Sequence, residues 1–156
     1  MKLRRRVVLL LSSALGLGYL PRAPGTWGTL AALPIWWLIA DLPWWQAGLI
    51  TVGVAGGAIW VADAAERLYG AHDVQRIVID EVAGMLVTAF LVPFRWPEVL
   101  VAFVLFRLFD MTKPPPIRQL DQKVQGGFGV VLDDLAAGVL ASLLLHGARW
   151  LLGGWW

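Results

Sequence analysis

Apolar residues fall in runs at roughly 29–40, 44–62, 82–92, 98–106 and 135–152, separated by segments of two kinds. "DLPWW" (41–45) and "PFRWP" (93–97) are brief Pro/Trp breaks of the sort that join antiparallel helices. The segments 18–29, 62–81 and 106–134 are longer and hold nearly all of the charge. A helix rises about 1.5 Å per residue and needs about 20 residues to cross about 30 Å of hydrocarbon. The runs at 29–40, 82–92 and 98–106 are therefore short. Extended into their polar flanks, the last two become helices over 77–92 and 97–110 with acidic groups at one end. The pattern predicts an all-α fold: a multi-helix integral membrane bundle built from short helical hairpins. The alternative of one span over 82–105 is disfavoured by Pro93 and Pro97.

Composition strengthens the membrane reading. Of 156 residues, 58% are apolar and 15% charged, against roughly a quarter charged in a soluble domain, and the mean hydropathy is +0.67. No linker or internal repeat divides the chain, so 1–156 reads as one domain. Many of the ten tryptophans, among them Trp27, Trp36, Trp44, Trp96 and Trp150, sit at the ends of apolar runs, as in an interfacial aromatic belt. A soluble helical protein with a Trp-rich core is the competing reading. The start, "MKLRRRVVLLLSSALGLG", has the basic and apolar regions of a secretory signal but no clean small-x-small cleavage site. Its four basic residues equally mark a cytoplasmic amino terminus.

Charge gives the topology a direction. With the brief breaks on one side of the membrane and the long polar segments on the other, eleven of the thirteen basic residues share the long-segment side, against Arg95 and Arg149 opposite. The positive-inside rule then makes that polar face cytoplasmic. A net charge of +2, with no basic stripe interleaved with aromatics, gives no sign of nucleic-acid binding. The absence of cysteine excludes disulfides, thiolate metal sites and a cysteine nucleophile.

The same face collects nine of the eleven acidic residues, including the adjacent pairs Asp80-Glu81 and Asp133-Asp134. Each pair follows a β-branched run and precedes a small-residue helical stretch, so helix capping would account for one carboxylate per helix. A second acid partly buried in a membrane needs a partner or a cation. Oxygen ligands without cysteine and with only two histidines point to Mg²⁺ or Mn²⁺ rather than zinc. In "FRLFDMTKPPP", Arg107 and Asp110 share a helical face and Lys113 follows, ahead of prolines that end the helix. A surface ion pair is the plain reading; phosphate neutralisation by Arg107 and Lys113 beside Asp110 is the functional one. "APGTWGT" puts Gly25 and Gly28, with Thr26 and Thr29, ahead of a helix, where amides suit an anion or a capping turn. "QGGFG" reads as a flexible turn.

Taken in order, "APGTWGT", "HD" (72–73) ahead of "IVIDEVAGM", "FRLFDMTKPPPIRQLD" and "GGFGVVLDDLAAG" resemble the phosphatidylglycerophosphatase A family over most of the chain from Gly16 to about Ala141. The resemblance implies a Mg²⁺-dependent helical membrane phosphatase. Its expected reaction is hydrolysis of phosphatidylglycerophosphate, an anionic phospholipid, to phosphatidylglycerol and phosphate at the cytoplasmic face of the bacterial inner membrane. The matching polar positions are Thr26, Thr29, Asp73, Asp80, Glu81, Arg107, Asp110, Lys113, Asp121, Asp133 and Asp134. Ile79 and "MTKPPP" depart from the family pattern where aromatics are usual. A homo-oligomeric assembly is compatible with this reading.

Exclusion agrees. There is no CxxxxxR or DxDx[TV] motif, and His72 and His146 do not supply a paired-histidine mechanism. Water must then attack, and the mechanism expected on this resemblance has Mg²⁺ held by Asp80, Glu81, Asp133 and Asp134. Asp110 serves as a further ligand or the general base, and Arg107, Lys113, Gly25, Thr26 and Thr29 meet the phosphate. His72 is either a proton donor or a loop histidine bonded to Asp73. Two rivals stand beside this: a small carrier with an acid-lined pathway, and a Mg²⁺-dependent lipid head-group transferase. The first predicts acids near helix centres, and the second a DGxxAR…GxxxDxxxD pattern that the chain lacks.

Overall fold

The chain begins and breaks its helices where local chemistry requires. In the computed structural model, which describes residues 2–72, 74–115, 117–119, 124 and 126–151, no described residue is in a strand. The helices are α1 (Lys2–Ser12), α2 (Pro24–Ala31), α3 (Leu33–Ile39), α4 (Trp44–Tyr69), α5 (Ile79–Thr88), α6 (Trp96–Thr112) and α7 (Gly126–Leu151), with a 3₁₀ turn at Leu17–Tyr19. Proline occupies the first turn of α2, α3 and α6, where its missing N–H costs no bond. Gly70, at φ 70°, closes α4 by donating its N–H to the Glu66 carbonyl at 2.8 Å. Lys113 closes α6 in the same left-handed way at φ 42°, and the prolines that follow forbid another turn.

Helix α7 is the central post, packed against α4, α5 and α6, while α2 lies on α5 and α1 on α4. The main core gathers Trp36, Met85, Leu86, Phe106 and Leu145. The central helices approach closely because glycine stands at their crossings. A Cβ on Gly84 would lie 2.6 Å from the Phe106 ring and 2.7 Å from the Asp134 carbonyl, and one on Gly138 would strike the Gly84 carbonyl. This is small-residue packing of the kind that lets helix backbones approach in apolar surroundings.

Several expectations are corrected. The run at 29–40 is two helices meeting at Ala32, and α4 continues through the polar segment to Tyr69. "QGGFG" is not a turn throughout, because Gly126 to Gly129 already belong to α7. Gly127 there lies against the backbone of Asp63 with no room for a side chain. Asp133 and Asp134 are consequently two turns inside α7 and gain little from its amino-terminal dipole, which falls off within the first turn. The break between α5 and α6 confirms two helices over 82–105. Trp36 is a core residue, 1% exposed, donating its indole N–H to the Val92 carbonyl at 2.9 Å, and is no part of a belt.

Two helices, α4 and α7, each of 26 residues, are long and apolar enough to cross a membrane. Trp44, Trp45, Trp96 and Trp150 are all more than half exposed. They lie at the start of α4, the start of α6 and the end of α7, together at one end of the bundle.

Replacing Gly84 with alanine is expected to cost about 1–3 kcal/mol by overpacking. Gly57→Ala, where an added Cβ meets nothing within 4 Å, should be neutral or slightly stabilising. Thermal unfolding in detergent compares the two, and equal stability would disprove the close crossing.

Candidate active site

The start of α5, the end of α6, the first part of α7 and the start of α2 converge on one cleft of about 370 Å³. That is near the lower end of the roughly 300–1,000 Å³ typical of small-molecule sites, a size suited to a head group. Asp80 and Glu81 enter it from the first turn of α5. Asp110 and Arg107 enter from the last turns of α6, and Asp133 and Asp134 from α7.

Asp80, Glu81 and Asp134 form the heart of the cleft, each offering a carboxylate oxygen within 4.8 Å of the others. Asp80 and Asp134 are 8% and 4% exposed. Asp80 Oδ1, Glu81 Oε2 and Asp134 Oδ2 are buried with no hydrogen-bond partner among the described residues. Buried polar atoms are nearly always satisfied, so an orphaned oxygen on each of three clustered carboxylates makes a place that a cation would fit. An all-oxygen donor set fits a hard ion such as Mg²⁺. Asp110 stands beside this trio, within electrostatic reach of Glu81 and Asp134.

Asp133 lines the cleft but is not part of the trio. Successive residues of a helix point about 100° apart, and its Oδ2 accepts a bond from Lys113 Nζ at 2.6 Å. Its other carboxylate oxygen is also buried. The four-carboxylate set expected from the sequence thus divides into three that cluster and one that orients a lysine. Arg107 pairs with Asp110 one turn on and reaches Gly25, where a Cβ would lie 2.9 Å from its Nη1.

The "APGTWGT" segment contributes differently from the expectation. Gly25 lines the cleft, but neither Thr26 nor Thr29 does. Thr29 is fully buried and donates its hydroxyl to the Gly25 carbonyl at 2.9 Å, inside its own helix. The glycines instead let α2 press on α5: a Cβ on Gly25 would strike Glu81 Oε1, and one on Gly28 would lie 2.8 Å from Val78. Ala23, also lining the cleft, holds a left-handed conformation at φ 49° that only a constrained residue other than glycine adopts.

Glu66 was not singled out in the sequence as a site residue. It is 8% exposed in the last turn of α4, and its Oε1 lies 2.5 Å from Nδ1 of His72, which lines the cleft. Only a helix running past the apolar segment to Tyr69 brings the two together. Asp73 and Asp121 lie outside the described residues. His146 is structural, with Nε2 2.9 Å from the Phe90 carbonyl in the apolar half of the bundle.

Carboxylates able to hold a hard cation and two bases that suit a phosphate, gathered at one end of an apolar helical bundle, have the chemistry of a phosphoester site. Sequence comparison gives the family: residues 10–149 match the model of phosphatidylglycerophosphatase A, and the chain belongs to that family. It is 40% identical to phosphatidylglycerophosphatase A of Escherichia coli (strain K12) over 92% of this chain and 86% of that protein. The enzyme of the same name from Haemophilus influenzae is 34% identical over 92% and 90%. A candidate phosphatidylinositol-3-phosphatase of Bacteroides thetaiotaomicron is 38% identical over 93% and 95%. No solved structure matches the chain.

Two substitutions test the geometry. Gly25→Ala should lower turnover roughly 100-fold by displacing Glu81 and Arg107, with little loss of helix content by circular dichroism. Asp134→Asn should abolish turnover yet raise the unfolding temperature in chelator, because removing one of three crowded charges gains on the order of 1–3 kcal/mol. A lower unfolding temperature would mean that the trio is not repulsive.

Proposed function

We propose that the protein is a Mg²⁺-dependent phosphatase of phospholipid biosynthesis that hydrolyses phosphatidylglycerophosphate to phosphatidylglycerol and inorganic phosphate. It works as a multi-helix bundle in the bacterial inner membrane, with its cleft on the cytoplasmic side. The observation that carries this is the buried trio Asp80, Glu81 and Asp134, with its orphaned oxygens, lining the same cleft as Arg107 and Lys113. Family membership supplies the head group. The membrane placement is supported by α4 and α7, by the exposed tryptophans at the far end and by the uneven distribution of basic residues.

Asp80, Glu81 and Asp134 would hold the cation, which supplies Lewis-acid polarisation of the phosphate. Arg107 and Lys113 carry the rest of the charge compensation. Arg107, fixed between Asp110 and the backbone at Gly25, and Lys113, fixed by Asp133, bind the non-bridging phosphate oxygens and stabilise charge that builds in the transition state. Asp110 accepts the proton of the attacking water as its oxygen bonds to phosphorus. As the phosphorus–oxygen bond to glycerol breaks, the leaving oxygen takes a proton from His72, which Glu66 orients. Of the rival readings, the carrier predicts acids along the middle of helices; here the trio lies at one end of the bundle and beside two bases.

The decisive assay measures phosphate release from phosphatidylglycerophosphate by the purified protein in detergent, with phosphatidylinositol-3-phosphate in parallel. Release should require Mg²⁺, favour the glycerol head group, and fall at least about 100-fold in Asp110→Asn, Glu81→Gln and Asp134→Asn. Lys113→Ala should act mainly by weakening substrate binding. Release untouched by chelator and by all three acid substitutions would sink the mechanism.

A further inference from the structure

A second depression, larger than the cleft at about 550 Å³ and sharing no residue with it, lies between α1 and α4. Its rim carries Lys2, Arg4 and Arg5 from α1 and Arg67 from α4, four basic side chains against the single acid Asp63. Arg67 pairs with Asp63 one turn away, which leaves the three α1 bases as the excess charge. Its floor is apolar, formed by Val8, Trp60 and Leu68. A cationic rim over an apolar floor matches neither a free anion, which gains nothing from the floor, nor a purely apolar ligand.

The surroundings say what fits. Leu3, Val7 and Leu10 of α1 stand at i, i+4 and i+7, on one stripe, and are 76%, 44% and 50% exposed. With basic residues on its remaining faces, α1 has the form of an interfacial helix whose apolar stripe dips into the acyl region. On α4, Leu49 and Val52 are 69% and 70% exposed, and this outward apolar surface gives way to charge just past Trp60. The depression therefore sits where hydrocarbon changes to head groups. Its position is fixed, because the Val78 N–H at the start of α5 donates to the carbonyl of Ser12 at the end of α1 at 2.8 Å.

We propose that this groove binds an anionic phospholipid, its phosphate on Lys2, Arg4, Arg5 and Arg67 and one acyl chain along Trp60 and Leu68. A zwitterionic lipid would bring its ammonium group into the excess positive charge. The inference rests on the membrane placement proposed above and is independent of the phosphatase chemistry.

The test uses the full chain in phosphatidylcholine vesicles holding a minor fraction of brominated phosphatidylglycerol or, separately, brominated phosphatidylcholine. The fluorescence quenching due to Trp60 is taken as the difference between wild type and Trp60→Phe. It should be at least about threefold greater with the brominated anionic lipid. Raising salt from about 0.1 M to about 1 M should erase that preference in the wild type. Arg4→Gln combined with Arg5→Gln, on the exposed side of α1, should erase it at low salt. Glycerol phosphate in the buffer should leave it unchanged. Equal quenching by the two lipids, a preference that survives both treatments, or displacement by glycerol phosphate would overturn the proposal. Quenching of Trp44 and Trp96 by either lipid reports insertion separately, so its absence would count against the membrane placement rather than the groove alone.

Discussion

Three carboxylates held within 4.8 Å of one another, at the end of a helical bundle, are the constraint around which the rest is arranged. At an effective dielectric constant of about 20, two unit charges about 5 Å apart repel by roughly 3 kcal/mol. Three such pairs approach the whole stability of a typical domain, about 5–15 kcal/mol. One carboxylate oxygen of each residue has no hydrogen-bond partner among the described residues, so the arrangement is tolerable only if the rest of the fold holds it together and the charge is offset, by a proton or by a cation. The glycine crossings provide the first condition. Gly25, Gly28, Gly84 and Gly138 let α2, α5 and α7 meet at backbone distance, which removes the freedom by which the acids would otherwise separate.

That coupling explains why the motifs of the chain are hard to divide into structural and chemical parts. The threonine hydroxyl of "APGTWGT" is spent inside α2, while its first glycine makes room for Glu81 and Arg107. Gly84 stands four residues after Asp80 and touches the Asp134 carbonyl. One spacing thus sets both the helix crossing and the distance between two of the clustered acids. The left-handed Ala23 belongs to the same economy: strain at the mouth of the cleft is held by the packing of α2 on α5.

Much of this was legible in the sequence. The long apolar runs, the Pro/Trp break between α5 and α6, and the collection of Asp80, Glu81, Asp110 and Asp134 with Arg107 and Lys113 all follow from the placement of a few charges in a very apolar chain. Helix boundaries were less legible. The β-branched run before Asp133 and the glycines before it look like a break, yet they are helical because α4 offers a surface so close that only glycine fits at Gly127. The tertiary contact overrides local propensity. Glu66 was hidden for a related reason: "ADAAERLYG" looks like a polar loop, but Ala58, Ala62 and Ala65 make a buried stripe that carries α4 past the apolar segment.

The unequal fates of the two acidic pairs follow from where each stands on its helix. Asp80 and Glu81 occupy the first turn of α5, which abuts α2, α6 and α7, so side chains pointing about 100° apart both still meet the cleft. Asp133 and Asp134 lie two turns inside α7, between facing helices. There the same angle sends Asp134 toward Asp80 and Glu81 and Asp133 toward Lys113. Lys113 is available at that spot because α6 ends in a left-handed residue and proline prevents it from continuing. A helix stop and a helix interior, far apart in the chain, thereby place a cation beside the acids without neutralising them. Pairing Asp133 with Lys113 keeps the lysine in the lining of the cleft and directs its charge to Asp133 rather than to the trio.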